Sequence, residues 1–309
     1  MSSEPSGLVS AGAPAVDAGS RAHGLSRLVH WGRLAVAEPV LSVLFPPRCV
    51  GCGDFESHLC PACRGTLEAI GPDCCPRCGE PGPLALVGGR CGHCMGEEVA
   101  YAGARAAFLH RGVARRMVAD FKFGGQPVLG LVMAGLARPA FSIYLAFIAP
   151  ADRILVTWVP CHRVAQRKRG YNQVELLARG LASGGAVASG EALGSGSTSK
   201  SDGCSAVSTT CAACTGLVRK VTPTKHQKGL GRSGRQGNLR GAFAFDAAAF
   251  SQALSRASSP PSAIALVDDV YTTGATAREV ASVLGKGTGL PVYVFTFSRA
   301  VSGKTERHD

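Results

Sequence analysis

The sequence predicts an α/β protein in which a mostly parallel sheet with flanking helices follows a small cysteine-rich domain, and three observations carry that prediction. Short apolar runs such as "RILVTWVP", "AIALVDDV" and "PVYVFTFSRA" alternate with helical stretches of about a dozen residues, the pattern of βαβ units. Four C-x-x-C pairs crowd the region from Cys49 to Cys94. One apolar strand, in "IALVDDVYTTGAT" (264–276), ends in two adjacent carboxylates and a loop of small hydroxyl residues and glycine. Ligands of such sheets bind beyond the carboxyl ends of the strands.

In chain order, residues 1–24 are rich in Ser, Gly and Ala without apolar period, which predicts a disordered N-terminus. That segment also has no apolar core behind a basic start, so no signal peptide is expected. From Leu25, "LSRLVHWGRLAVAEPVLSVLF" has helical spacing and stops at Pro46 and Pro47. The helix and the cysteine region form a first domain over 25–98, and 99–309 a second. "YAGARAAFLHRG" reads as strand and turn, and "YNQVELLARGLA" and "GATAREVASVLGKG" as helices. The apolar stretch "VLGLVMAGLARPAFSIYLAFIAP" is divided by Arg138 and Pro139 into halves too short to span a bilayer at about 20 residues per helix. It is expected to be a core helix followed by another core element, so no membrane span is predicted. Residues 183–214 are mostly Gly, Ser, Ala and Thr with few large apolar side chains, a low-complexity surface insertion.

The chain has 309 residues, enough for a sizeable core in one large domain or two ordinary ones. Thirty-three Lys and Arg against 21 Asp and Glu give a net charge of +12, which favours polyanionic partners without choosing among nucleic acid, phosphorylated metabolites and acidic membranes. The 13 cysteines are an odd number and mostly paired as C-x-x-C, which argues against a secreted disulfide framework and for reduced, metal-binding thiols in the cytoplasm.

Two sulfurs three positions apart on a tight turn reach one tetrahedral ion, and two such turns complete a four-cysteine zinc site. Cys49, Cys52, Cys60, Cys63, Cys75, Cys78, Cys91 and Cys94 therefore predict two structural zinc ions, with glycines beside the pairs suiting the turns. Spacing leaves open whether the knuckles pair in order or cross over. Cys74 could replace Cys75 in register, but Cys75 preserves the spacing; His58, His93 and "CAAC" at 211–214 are weaker candidates.

At the end of the second run, Asp268 and Asp269 are placed to meet sugar hydroxyls or a magnesium-bound ligand. The loop behind them enters a helix near Gly274 or Ala275, where backbone N–H groups and threonine hydroxyls make a phosphate seat. Together they read as a sugar-phosphate pocket, against the plainer reading of solvated carboxylates and a capped helix. The full Walker A pattern does not occur, so nucleoside-triphosphate hydrolysis has little support.

"IALVDDVYTTGAT" resembles the thirteen-residue phosphoribosyl-diphosphate (PRPP) motif of type I phosphoribosyltransferases, a family with a Rossmann-like parallel sheet. The resemblance implies that Asp268 and Asp269 hold the ribose hydroxyls, and that Thr272, Thr273, Gly274, Ala275 and Thr276 grip the 5′-phosphate of Mg2+·PRPP. Three further segments resemble the ComF competence-protein family: "WVPCHRVAQRKRGYNQVELLA" (158–178), "RKVTPTKHQKGLGRSGRQGNLRGAF" (219–243), and the cysteine region after "LFPPRC", which is similar to its zinc ribbon. The likeness runs from about residue 28 to 300. Ala165 and Thr222 stand where that family often has arginine, and Lys220 takes its second basic position.

The chemistry of these segments agrees. His162, Arg163, Arg167, Lys168 and Arg169 make a cationic turn suited to a diphosphate leaving group. Lys220, Thr224 and Gln227 open a basic, glycine-containing loop expected to be mobile and to close over the reaction. Lys122 in "DFKFGG" is either a further phosphate contact or a plain surface lysine.

Two classes of function follow. In the first the protein is a glycosyltransferase acting at C1 of PRPP on an unidentified acceptor, with no general base evident. In the second it is a binding or sensing module whose pocket is vestigial and whose ribbon and basic loop hold single-stranded DNA. Aromatics available for stacking are Trp31, Tyr101, Phe121, Phe123 and Tyr171. The ComF resemblance implies a role in DNA uptake and natural transformation, beside a competence helicase and recombination proteins.

Overall fold

The structure is a computed structural model that describes residues 46–82, 89–92, 94–95, 99–162, 164, 166–167, 170–183, 213–222, 239 and 241–301. The chain divides into Met1–Pro47 and Arg48–Asp309, and every element below lies in the second unit. The expected disorder before residue 25, the helix after it, Trp31, most of the 183–214 insertion and most of the basic loop fall outside the described residues.

The cysteine region holds one short helix, α1 (Pro61–Gly65). The α/β part then runs β1 (Gly103–Leu109), α2 (Gly112–Phe123), α3 (Leu129–Ile148), β2 (Ile154–Trp158), α4 (Gln173–Ala182), β3 (Ala213–Cys214), β4 (Val218–Lys220), β5 (Phe243–Phe245), α5 (Ala247–Arg256), β6 (Ala263–Tyr271), α6 (Ala275–Thr288) and β7 (Val292–Arg299). The main sheet has the order β1-β7-β6-β2-β3, every pair parallel, with β3 a two-residue edge strand. β4 and β5 form a separate antiparallel pair.

The predicted strands form because their side chains are apolar on both faces, as a sheet buried on two sides requires. Successive residues of β6 enter different cores. Ala263, Ala265 and Val267 pack with α2, α3 and α4, whereas Ile264 and Leu266 pack with α6, the β4–β5 pair and the second group of cysteines. β6 is central, flanked by β7 and β2, and its carboxyl end carries the acidic pair.

Three local readings are corrected. Arg138 and Pro139 do not divide the apolar stretch; α3 is one 20-residue helix with Pro139 inside it. Pro139 lies on the exposed side, as does Gly135, whose carbonyl loses its helical partner to the ring and can be met by water. The opposite stripe, including Met133, Ala137, Phe141 and Leu145, is fully buried and holds the helix to the core. α3 is thus long and apolar enough, by length and composition, to cross a membrane, although one face packs in this core. Secondly, Lys220, expected on the mobile loop, ends strand β4, because Val218 to Lys220 pair with Phe243 to Phe245. Likewise Ala213 and Cys214, assigned to the insertion, extend the sheet beside Leu155 and Val156.

Candidate metal centres and anion-binding cleft

The cysteines form two tetrads, Cys49/Cys52/Cys60/Cys63 and Cys75/Cys78/Cys91/Cys94, in each of which all ligand atoms lie within 4.8 Å of one another. The knuckles therefore group in order, and Cys75 rather than Cys74 belongs to the second tetrad. Sulfur separations of 3.7 Å (Cys52–Cys60), 4.0 Å (Cys75–Cys94) and 3.6 Å (Cys78–Cys91) match the edge of about 3.8 Å that a tetrahedron with zinc–sulfur bonds of about 2.3 Å requires. The donor set thus fits zinc, in closed four-thiolate sites of the structural kind.

Backbone geometry prepares the thiolates. Gly51 N–H and Cys60 N–H donate to Cys49 Sγ at 3.4 and 3.3 Å. Burial pushes the Cys49 thiol up, but these and the Cys52 backbone donor outweigh it and bring it down to about 6. At Cys75, burial is likewise outweighed by backbone donors from Cys78, Cys91 and Arg77, leaving it at about 7. A Cβ at Gly51 would fall 2.4 Å from Cys63 Sγ, so this knuckle admits no side chain there. The first tetrad is partly exposed and the second is buried. Cys74 and His58 stand outside both tetrads, and His93 and Cys211 are outside the described residues.

The acidic pair separates by face. Asp269 is 5% exposed, and Lys122 Nζ approaches its Oδ1 at 2.8 Å from the last turn of α2. Tyr171 and Gln173 fix that turn by donating to the carbonyls of Phe121 and Lys122 at 3.2 and 3.3 Å, and so satisfy acceptors a helix end leaves unmade. The Tyr-Asn-Gln segment thereby places Lys122, which is neither a bare surface lysine nor a free phosphate contact. Asp268 instead faces the loop cleft, and its Oδ1 accepts from Asp269 N–H at 2.9 Å. Burial, then the Asp269 carboxylate, push the Asp268 carboxyl up to about 7 against the pull of Lys122 and that N–H.

The cleft is lined by Asp268, Thr272, Thr273, Gly274, Ala275 and Thr276, together with Val270, Tyr271, Ala277 and Thr296. It brings together every predicted residue of the motif except Asp269. Thr296 comes from β7, opposite Asp268 in register. The cavity measures about 20 Å3, room for about one water-sized group. Gly274 precedes α6 with φ of 72°, and a Cβ there would meet the Tyr271 hydroxyl at 2.3 Å. Only glycine satisfies both conditions.

The other predicted anion contacts are placed in part. His162 follows β2, whose last residue pairs with Val267, and therefore shares the carboxyl edge with Asp268. Its Nδ1 accepts from Val164 N–H at 3.3 Å. Arg167 is exposed, while Arg163, Lys168 and Arg169 are outside the described residues, as are Thr224 and Gln227. Lys220 is held over the Phe243 ring at 5.6 Å. Burial pulls its ammonium down, with the Cys161 thiol beside His162 acting the other way.

Sequence reasoning missed His110, which directly follows β1 at the same edge, its Nδ1 2.9 Å from Ser298 Oγ. Burial and then Lys122 and Arg115 pull His110 down, with Asp269 opposing them. It also missed Arg299, a buried charge paired to Glu80 and bonded to Cys78 O at 2.6 Å. Neither has a local sequence signal, because each partner lies far along the chain. Of the aromatics considered for base stacking, Tyr101 and Phe121 are core residues, Tyr171 is half-buried and Phe123 is exposed.

Fold and sites together define an α/β protein with a parallel sheet and an N-terminal zinc-ribbon-type domain bearing two cysteine tetrads. The family model described as a double zinc ribbon domain matches residues 40–95. The chain is similar to "Competence protein F" of Haemophilus influenzae, with 26% identity over 265 residues that cover 82% of this chain and 97% of that protein. Both matches agree with the resemblance that the motifs of the sequence carry.

Proposed function

We propose that this chain is a ComF-like protein whose 99–309 domain binds Mg2+·PRPP at the carboxyl end of β6, and that it serves DNA uptake in the cytoplasm. The observation that carries the reading is the Asp268-to-Thr276 unit. A carboxylate, a glycine-bearing loop and a helix N-terminus meet at the carboxyl edge of a parallel sheet, where such sheets bind ligands. Loop N–H groups and threonine hydroxyls would receive the 5′-phosphate. Asp268 is the carboxylate that faces the cleft, and so the one to meet a ribose hydroxyl or a magnesium-bound oxygen. Magnesium bound with the ligand would neutralise charge on the diphosphate. His162 and Arg167, with Arg163 and Arg169 beside them in sequence, would meet that diphosphate, while Lys220 at the base of the loop carrying Thr224 and Gln227 would help cover the site. In a transferase, diphosphate leaves C1 of the ribose as the acceptor's nucleophile bonds to it, and the protein contributes orientation and charge.

A second reading, ligand sensing or single-stranded DNA binding without transfer, is favoured by the Lys122–Asp269 pair, which occupies one carboxylate of the motif. Release of diphosphate from Mg2+·PRPP with candidate bases, with and without DNA, separates the two. Release that Asp268→Asn abolishes supports the transferase; tight PRPP or DNA binding with no release supports the module. Competence helicase and recombination proteins are partners under either reading, and loss of transformation without loss of helicase binding would argue against that link.

A further inference from the structure

The floor of the anion loop is the Tyr271 ring, since its hydroxyl occupies the space a side chain at Gly274 would need. What holds that ring reaches the second cysteine tetrad. The Arg299 guanidinium stacks over it at 4.3 Å. The same guanidinium donates to Cys78 O at 2.6 Å, to Cys78 Sγ at 3.7 Å and to the Glu80 carboxylate. From the other side, the Tyr271 and Tyr101 hydroxyls share a hydrogen bond of 2.6 Å. All four residues are nearly inaccessible: Tyr101 2%, Tyr271 7%, Glu80 3% and Arg299 3% exposed. A buried ion pair is a poor source of stability, because desolvation consumes most of the attraction, but its fork geometry fixes position.

We propose that Arg299 is a positioning residue through which metal in the Cys75/Cys78/Cys91/Cys94 tetrad sets the aperture of the 272–276 anion loop. Metal fixes Cys78, whose carbonyl and sulfur take two of the Arg299 bonds; Arg299 then fixes the Tyr271 ring under Gly274. An empty tetrad frees Cys78, and the guanidinium over the ring is then held by the Glu80 carboxylate alone, with its two Cys78 acceptors loosened. The cavity has room for about one water-sized group, so the seating of a phosphoryl group would depend on where the floor stands. The inference rests on the loop being a phosphate seat. It adds that the ribbon governs that seat from within the core rather than merely accompanying it.

Arg299→Met in the full-length zinc-loaded chain tests it. Zinc content is expected to stay at the native value, while amide hydrogen exchange across 272–276 speeds up and Mg2+·PRPP affinity falls by about tenfold or more, the scale for removing a partner just outside a metal's ligands. Cys91→Ser, which empties the second tetrad, should speed exchange in the same residues, and Cys60→Ser in the first tetrad should not. Should either cysteine variant misfold, Tyr101→Phe, which removes only a hydroxyl, should give a smaller change of the same sign. In cobalt-loaded protein, PRPP should shift the thiolate-to-cobalt absorption band in the native chain, weakly in Arg299→Lys and not in Arg299→Met. Native loop exchange in Arg299→Met with both metals bound would overturn the proposal. A native chain that fails to bind PRPP would defeat the ligand assignment alone, and the exchange comparison would still decide the coupling.

Discussion

Asp268 and Asp269 adjoin in the chain but answer to different neighbours, because adjacent side chains of a strand point to opposite faces. Asp269 belongs to Lys122, and Asp268 to the cleft. Its raised pKa has two consequences of definite sign. The native carboxyl keeps a proton that an unfolded Asp, with a pKa of about 3.9, has already lost. This group's contribution to stability is therefore full below about pH 4 and is lost as pH rises through about 7. If Asp268 meets a ribose hydroxyl or a magnesium-bound oxygen as a carboxylate, Mg2+·PRPP binding should release a proton and strengthen from pH 6 to pH 8. Titration in buffers of different ionisation heat measures that proton, and Asp268→Asn should abolish it. Lys122→Met would strand a buried carboxylate and should cost about 2 kcal/mol in denaturant unfolding. No loss of stability would mean that Asp269 finds another partner.

At the scale of elements, β2, β6, β7, α4 and α6 were legible because continuous apolar runs and 3.6-residue periods are local signals. α3 was misread for the same reason: Pro139 is a local stop signal, and the buried stripe that overrides it is a tertiary fact. Removing the ring should therefore stabilise the fold. Pro139→Ala is expected to raise unfolding free energy by about 1–3 kcal/mol, with unchanged helicity by circular dichroism. A fall in stability would show that the proline is needed where it stands. The Thr-Gly loop was legible from its residue types, whereas its floor was not. Arg299 and Glu80 are 219 residues apart, and no spacing rule joins an arginine at a strand end to a glutamate after a cysteine knuckle. The cysteines lie between these cases: spacing gave the ligands, but only the structure gave the pairing in order.

At the scale of the whole molecule, the second tetrad sits in the core beneath one face of the sheet, with Leu155, Leu266, Val280 and Val294. Its metal is then part of the α/β fold, and stripping it should do more than unravel an appendage. Zinc analysis should return two ions per chain, and chelation should lower the melting temperature of the whole unit in one transition. A stoichiometry near zero would contradict the ribbon assignment. Calorimetric titration of the zinc-loaded chain with Mg2+·PRPP decides whether the cleft after β6 is a PRPP site. The predicted result is one saturable site per chain that is lost in Asp268→Asn and in Gly274→Val, both with zinc retained. No binding to the native chain, or equal binding to both variants, would contradict it.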